Sequence, residues 1–311
     1  MNVLVLGSDG AVGERLCKLL RGTGRVAVVA AAPRSEPALR EALRGMDAVV
    51  HCVDRGGAAL VQGTRNLVRA AAATGCPRIV HLGSQAAYGA AEGIVDEHAQ
   101  PGRGAAPWRE AEALLVGYGA KGGTSVLLRA GCVWGARAGT WSDRLAHWLR
   151  AGRLGDLGVD GDGWSNLVHV DDVCIAVLRS LELPLLQGES RPYNLAGADS
   201  PRWNEVLVDL ALAIDATPVR RIHPATLRWS AWTQPALATL QRWTGARPAI
   251  EPVTPPLLAL WRSQLRLDPR AAMQDLKIDW TPYSVALQDS AAWWAAQREA
   301  ETPQVALAQG M

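Results

Sequence analysis

The chain has 311 residues, enough for one large domain or two closely joined ones. It is 49% hydrophobic and 20% charged, as expected of a globular protein with a sizeable core. A net charge of +2, carried by interspersed residues, excludes the basic surface that nucleic acid or an anionic membrane would require.

The chain begins MNVLVLGSDG, with no basic region and no long apolar segment. Neither a signal peptide nor a membrane anchor is expected there, and a cytoplasmic location is the default. Five scattered cysteines without a Cys-x-x-Cys pair read as thiols in a reducing compartment. Six scattered histidines suggest no metal site.

The first half alternates short apolar runs with helical patterns. NVLVLG (2–7) reads as a buried strand, and AVGERLCKLLRG (11–22) as a helix with Val12, Leu16, Leu19 and Leu20 at helical spacing. RVAVVAA (25–31) is a second strand and PALREALRG (37–45) a helix closed by Gly45. DAVVHCV (47–53) is a third strand, followed by a long helix over 60–75. RIVHLGS (78–84) is a fourth strand, PWREAEALLVGYG (107–119) a helix with Pro at its start, and TSVLLRAG (124–131) a fifth strand. Near-continuous apolar strands separated by helices predict a doubly wound α/β fold, a parallel sheet covered on both faces.

Beyond about residue 136 the alternation fails. Residues 155–172 are rich in Gly and Asp and read as a loop running into a strand and a helix start. RPYNLAG (191–197) reads as a further strand, and 201–215 as a helix. Residues 218–282 are rich in Pro and Trp, and 303–311 are expected to lack structure.

GSDGAVG places Gly7, Gly10 and Gly13 between a strand and a helix. The first glycine permits a tight turn, the second lets the backbone approach a pyrophosphate, and the third lets helix and strand pack closely. Unpaired N–H groups of the first helical turn, at Ala11 and Val12, then face the phosphates. Cys52 and Val53, at the end of the third strand, complete the candidate cofactor contacts. No acid ends the second strand. Arg34 stands there instead and suits a 2′-phosphate, so NADP is favoured and NAD remains open.

The chain resembles the extended short-chain dehydrogenase/reductases, the NAD-dependent epimerase/dehydratase family. NVLVLGSDGAVG resembles the family's opening, and GTRNLVRAAAATGCPRIVHLGSQAAYG its G-T-x-N-L…S-S-x-x-x-Y-G segment. SVLLRAGCVWG resembles its Arg-ended strand, with Trp134 for a Tyr. NLVHVDDV, carrying His169, Asp171 and Asp172, and DLKIDWTP resemble its later motifs. The resemblance implies a Rossmann-type dinucleotide-binding domain and a smaller C-terminal substrate domain. The expected bounds are 1–165, which the strand near 192–197 rejoins, and 166–311. It also implies a small-molecule substrate, often a sugar nucleotide, and a possible homodimer through the helix that carries P-Y-x-x-x-K.

Family chemistry uses a Ser or Thr to orient the substrate, a Tyr as acid/base, and a Lys that lowers the Tyr pKa. Ser84, four residues before Tyr88, matches the first. Trp108 and Glu112 occupy the Tyr and Lys positions. An indole does not titrate usefully, and Glu112 inverts the lysine's charge. Tyr118 and Lys121 are three apart and do not restore the motif. Gln85 and Ala86 stand where the family's dehydratases carry Asp-Glu, so ordinary sugar-nucleotide dehydration is not expected.

Two readings follow. One is an NAD(P)-dependent oxidoreductase or epimerase in which Glu112, Tyr88 or water handles the proton. The other is a non-catalytic nucleotide-binding sensor or partner-binding protein. Glu112 also reads as a helix glutamate paired with Arg109 or a distant Arg, and Tyr88 as a structural residue. Asp96 and Glu97 read as a loop or cap and His169 as structural. Trp229, Trp232, Trp243 and Trp261 read as packing or as the lining of an apolar pocket.

Overall fold

The computed structural model describes residues 1–24, 27–31, 35–52, 56–136, 141–223, 225–226, 229 and 253–308. The strands are β1 (Asn2–Leu6), β2 (Ala27–Ala31), β3 (Ala48–Cys52), β4 (Arg78–Ser84), β5 (Gly93–Val95), β6 (Thr124–Ala130), β7 (Cys132–Trp134), β8 (Leu167–His169), β9 (Ser190–Leu195) and β10 (Leu265–Leu267). The helices are α1 (Ala11–Gly22), α2 (Glu36–Ala42), α3 (Gly57–Thr74), α4 (Ala106–Gly119), α5 (Asp143–Arg150), α6 (Val170–Glu182), α7 (Trp203–Ala213), α8 (Pro255–Trp261), α9 (Arg270–Asp275) and α10 (Tyr283–Ala308).

The chain forms two compact units. The first comprises 1–133, 168–198 and 267–280. The second comprises 134–167, 199–266 and 281–311. Residues 168–198 and 267–280, although beyond position 165, therefore cluster with the sheet.

The first unit is built on a six-stranded sheet in the order β2-β1-β3-β4-β6-β9, every described pairing parallel. The fold is the Rossmann-type doubly wound sheet. Alternate residues of each strand serve opposite faces. Val3, Val5, Val50, Val80, Val126 and Leu128 pack with Leu16 and Leu20 of α1 and Val173 and Val177 of α6. Leu4, Val49, Ile79 and Leu127 pack with Leu39 of α2, Leu67 of α3 and Leu115 of α4. Because both faces are covered, the strands read as unbroken apolar runs. Each fully buried side chain of this size contributes roughly 1.5–3 kcal/mol.

Several boundaries differ from the sequence reading, among them two helix ends. Helix α3 begins at Gly57, three residues before the expected start, where glycines give no helical signal. Helix α10 runs to Ala308 and takes in most of the tail for which no structure is expected.

The second unit is held by tryptophan. Trp141 lies 5.4 Å from Trp203, ring centre to ring centre. Trp148 meets Trp261 edge-on at 6.1 Å. Trp134 stacks on Tyr283 at 5.5 Å. Trp164 carries the guanidiniums of Arg202 and Arg266 at 4.5 and 4.4 Å from its ring centre. Trp261 is fully buried and belongs to this packing, whereas Trp229 is exposed. Trp232 and Trp243 lie outside the described residues.

Gly13 and Gly10 should separate in a stability measurement. A methyl on Gly13 would stand 2.1 Å from the Gly7 carbonyl oxygen, and a Cβ has no rotamer by which to escape. Gly13→Ala is expected to lose about 1–3 kcal/mol in urea unfolding. Gly10→Ala, whose methyl meets nothing nearer than 3.5 Å, is expected to stay within about 1 kcal/mol of the parent.

Candidate functional site at the carboxyl edge of the sheet

Open parallel sheets bind ligands beyond the carboxyl ends of their strands, where the strand order reverses. Here that point lies between β1 and β3. Gly7, directly after β1, has φ +77°, and a Cβ there would meet the Cys52 carbonyl oxygen at 2.6 Å. The turn is therefore drawn tight against the end of β3. Gly10 caps α1 in extended conformation, with no side chain closing the helix end. Ala11 is exposed, and Val12 is half-buried against the core. The loop thus presents backbone N–H groups and the positive end of the α1 dipole.

Cys52 is partly buried, and burial pushes its thiol up to about 12, so it offers no thiolate. Arg34 and Val53 lie outside the described residues.

Ser84 ends β4, and its Oγ accepts the Ala86 N–H at 3.2 Å. Trp108 lies in the first turn of α4, half-buried. Its indole atoms stand 3.3–3.6 Å from the Cβ position of Gly56, which precedes α3. A larger residue at 56 would displace the ring.

Glu112, one turn further along α4, is 7% exposed and is not a solvated glutamate. Arg129 of β6, 3% exposed, grips both its oxygens: Nε donates to Oε1 at 2.7 Å and Nη2 to Oε2 at 2.9 Å. Arg109 adds a third bond, Nη1 to Oε2 at 2.9 Å. Burial opposes the Arg129 charge, but the hydrogen bonds and charge of Glu112, with help from Tyr88, leave its pKa above the ordinary value.

Tyr88 is fully buried. Its hydroxyl receives Arg129 Nη1 at 2.8 Å and faces Asn194 Oδ1 at 2.6 Å and the Asp96 carbonyl at 2.9 Å. Burial raises the phenol's pKa, against the opposing pull of Arg129. Asn194 donates onward to the carbonyls of Val95 and Asp268, and its own N–H reaches Glu97 Oε1 at 2.7 Å. Asp96 accepts the His98 N–H at 3.0 Å. A proton carrier needs an open face and a spare hydrogen-bonding position. Neither Tyr88 nor Glu112 has one.

The remaining Tyr and Lys lie elsewhere. Tyr118 donates to the carbonyl of Cys76, which precedes β4, so it sits at the amino end of the sheet. Lys121 is exposed beyond the end of α4. His169 caps α6 by accepting the Asp171 N–H at 3.4 Å, and Asp171 takes both arms of Arg15 at 2.6 Å.

The structure brings Ser84, Tyr88, Glu112 and Trp108 to the carboxyl side of β3, β4 and β6. It adds Arg129 and Asn194, which sequence reading did not single out as site residues. Arg129 carried a signal: an arginine ending an otherwise apolar strand needs an anion. Among the described residues no group of three or more His, Cys, Asp or Glu side chains could hold a metal ion. No described helix is long and apolar enough to cross a membrane.

This glycine turn on a doubly wound sheet defines a dinucleotide-binding class of fold. The chain belongs to the NAD-dependent epimerase/dehydratase family, whose model matches residues 3–196. No match to a curated protein was found. Among solved structures, MoeE5 in complex with UDP-glucuronic acid and NAD is similar at a TM-score of 0.70 and 20% identity, over 96% of this chain and 100% of that one. The UDP-glucuronic acid 4-epimerase of Bacillus cereus, in complex with UDP-glucuronic acid and NAD, gives 0.70 and 17% over 94% and 98%. A double mutant of DesIV, a dTDP-glucose 4,6-dehydratase from Streptomyces venezuelae with NAD and DAU bound, gives 0.71 and 19% over 96% and 98%. At these identities the likeness shows a shared fold.

Removing the Glu112 carboxylate strands a buried guanidinium. Glu112→Ala is expected to cost about 3–5 kcal/mol in urea unfolding. Glu112→Lys should cost at least as much. Adding Trp108→Tyr to it is therefore expected to yield an unstable protein and not a recovered Tyr-Lys dyad.

Proposed function

We propose that the chain is an NAD(P)-dependent oxidoreductase or epimerase-like protein acting on a small molecule, with Trp108 and Glu112 in place of the Tyr and Lys. The observation that carries this reading is the open end of α1 beside Gly10, a cradle for phosphate that a side chain would fill. Gly7, Gly10, Ala11, Val12 and Gly13 would hold the dinucleotide, beside Cys52 and Val53. Bound there, the nicotinamide supplies a hydride acceptor or donor.

Residues 1–165 are assigned to the dinucleotide and 166–311 mainly to the substrate. Ser84 orients a substrate hydroxyl. Tyr88 and Glu112 hold the wall of the site and do not exchange protons, and Trp108 lines it with an indole that does not titrate. Two of the solved relatives are in complex with UDP-glucuronic acid and a third is a dTDP-glucose 4,6-dehydratase with DAU bound, which supports a sugar nucleotide or a related molecule as substrate. Gln85 and Ala86 weigh against dehydration. A homodimer through α4 and a cytoplasmic location complete the proposal.

The non-catalytic sensor is the second reading. It draws on the same ion pair, which leaves the two dyad positions without a proton carrier.

Gly10→Val puts a branched side chain where the phosphates would lie, and its Cβ meets nothing nearer than 3.5 Å. Titration by tryptophan fluorescence should show a loss of NAD(H) and NADP(H) affinity of at least tenfold, and unchanged affinity would refute the assignment. The choice of nucleotide rests on Arg34. Calorimetry is expected to show tighter binding of NADP than of NAD, and Arg34→Ala should remove roughly 1.5–3 kcal/mol of the NADP affinity.

A further inference from the structure

The second unit holds a cleft of about 310 Å³, at the lower end of the range of small-molecule sites. Residues 149–152, at the end of α5, form one wall, and residues 215–220, which follow α7, form the other. All the lining residues belong to the second unit, whereas the glycine turn belongs to the first.

Most ligand pockets are lined by apolar side chains with a few polar groups among them. This one is rich in charge: Arg150, Asp215, Thr217 and Arg220 all line it. Arg150 reaches from α5 to the end of α7, where its Nη1 donates to the Ile214 carbonyl at 3.2 Å. That bond anchors the guanidinium, and the rest of its N–H groups have no protein partner among the described residues. The Arg220 guanidinium, the Asp215 carboxylate and the Thr217 hydroxyl have no hydrogen bond or ion pair among the described residues either. Neighbouring Arg221, by contrast, has its charge met by Asp156. Two arginines and an aspartate thus share one cleft, and Asp215 pairs with neither arginine.

We propose that this cleft binds an acidic α-amino acid, a small molecule with two carboxylates and one ammonium. Its charges match the lining in number and sign. The carboxylates go to Arg150 and Arg220, whose planar forks suit carboxylate oxygens. The ammonium goes to Asp215, and the Thr217 hydroxyl adds a donor or an acceptor. Two arginines less one aspartate leave the lining with a single positive charge, and such a ligand carries a single negative one at neutral pH. A phosphate ester would meet the arginines but set a like charge against Asp215. An uncharged sugar would leave all three charges unmet. Nothing in this cleft depends on a bound dinucleotide. The four polar side chains are exposed, so binding is expected to be modest and to weaken with salt.

Amide NMR of the full chain, titrated with L-glutamate at low salt, tests the assignment. The signals of Gly152, Ala216 and Val219 are expected to move, and those of Gly7 and Gly10 to stay in place. Two analogues each drop one charged group: L-glutamine lacks the side-chain carboxylate, and glutarate lacks the ammonium. Each is expected to bind about threefold more weakly than L-glutamate, or worse, as the loss of one exposed ion pair implies. Arg150→Gln and Arg220→Gln should each weaken L-glutamate by a similar factor. Asp215 has φ +56°, a conformation that asparagine also tolerates. Asp215→Asn should therefore keep the fold, weaken L-glutamate and leave glutarate as tight as before or tighter. Absence of any shift at the cleft amides up to about 10 mM L-glutamate would overturn the proposal. So would glutarate binding as tightly as L-glutamate, which marks a site for anions alone. If an arginine variant does not fold, the analogue series on the parent protein still decides. Gly10→Val is expected to bind L-glutamate as the parent does, so failure of the dinucleotide reading and failure of this one are told apart.

Discussion

The ion pair between Glu112 and Arg129 fixes the geometry of this site. Burying two charges costs several kcal/mol each unless their hydrogen-bonding capacity is met. Here it is met closely. Glu112 receives three guanidinium N–H groups, and Arg129 sends its remaining hydrogen bonds to the Tyr88 hydroxyl and the Glu97 carbonyl. One interaction thus ties the first turns of α4 to β6, to the turn after β4 and, through Tyr88 and Asn194, to β9. Ser84 and Trp108 sit on elements that this network holds. The Glu112 carboxylate is part of this buried network, and the same guanidinium holds the Tyr88 hydroxyl.

Much of the fold was legible because burial on both faces writes itself as apolar runs, and helices announce themselves by period. The glycine turn was legible for the same reason: at Gly7 and Gly13 backbone contacts below 3 Å admit no side chain. The partner of Glu112 was only half legible. Arg109, three residues earlier on the same helix, follows from helical spacing. Arg129 lies on a neighbouring strand, and the sequence does not say how α4 is rotated over it. A glutamate on a mixed helix therefore read as solvated or as a base. Tyr88 raised the same difficulty, since its burial depends on Asn194 and on the loop at 95–97. The pairing of His51 with His81 is a matter of register, which two separate apolar strands do not reveal. The second unit was the least legible, because its order comes from contacts between tryptophans far apart in sequence and not from any period.

Two features of the α4 side of the sheet constrain each other: the Glu112–Arg129 ion pair and the contact of His51 with His81, whose Nδ1 atoms stand 3.1 Å apart. A buried imidazole loses basicity near any uncompensated cation, and burial together with the neighbouring ring already holds His81 well below the usual histidine range. Arg129 stands on that face, in register with Gly83 of the strand that carries His81. With Glu112 on its guanidinium, the charge of Arg129 is largely cancelled at short range. A lysine at position 112 would instead add a second cation beside it and drive His81 further from protonation. The charge carried at position 112 thus bears on the Arg129 guanidinium and on the ionisation of the buried imidazole alike.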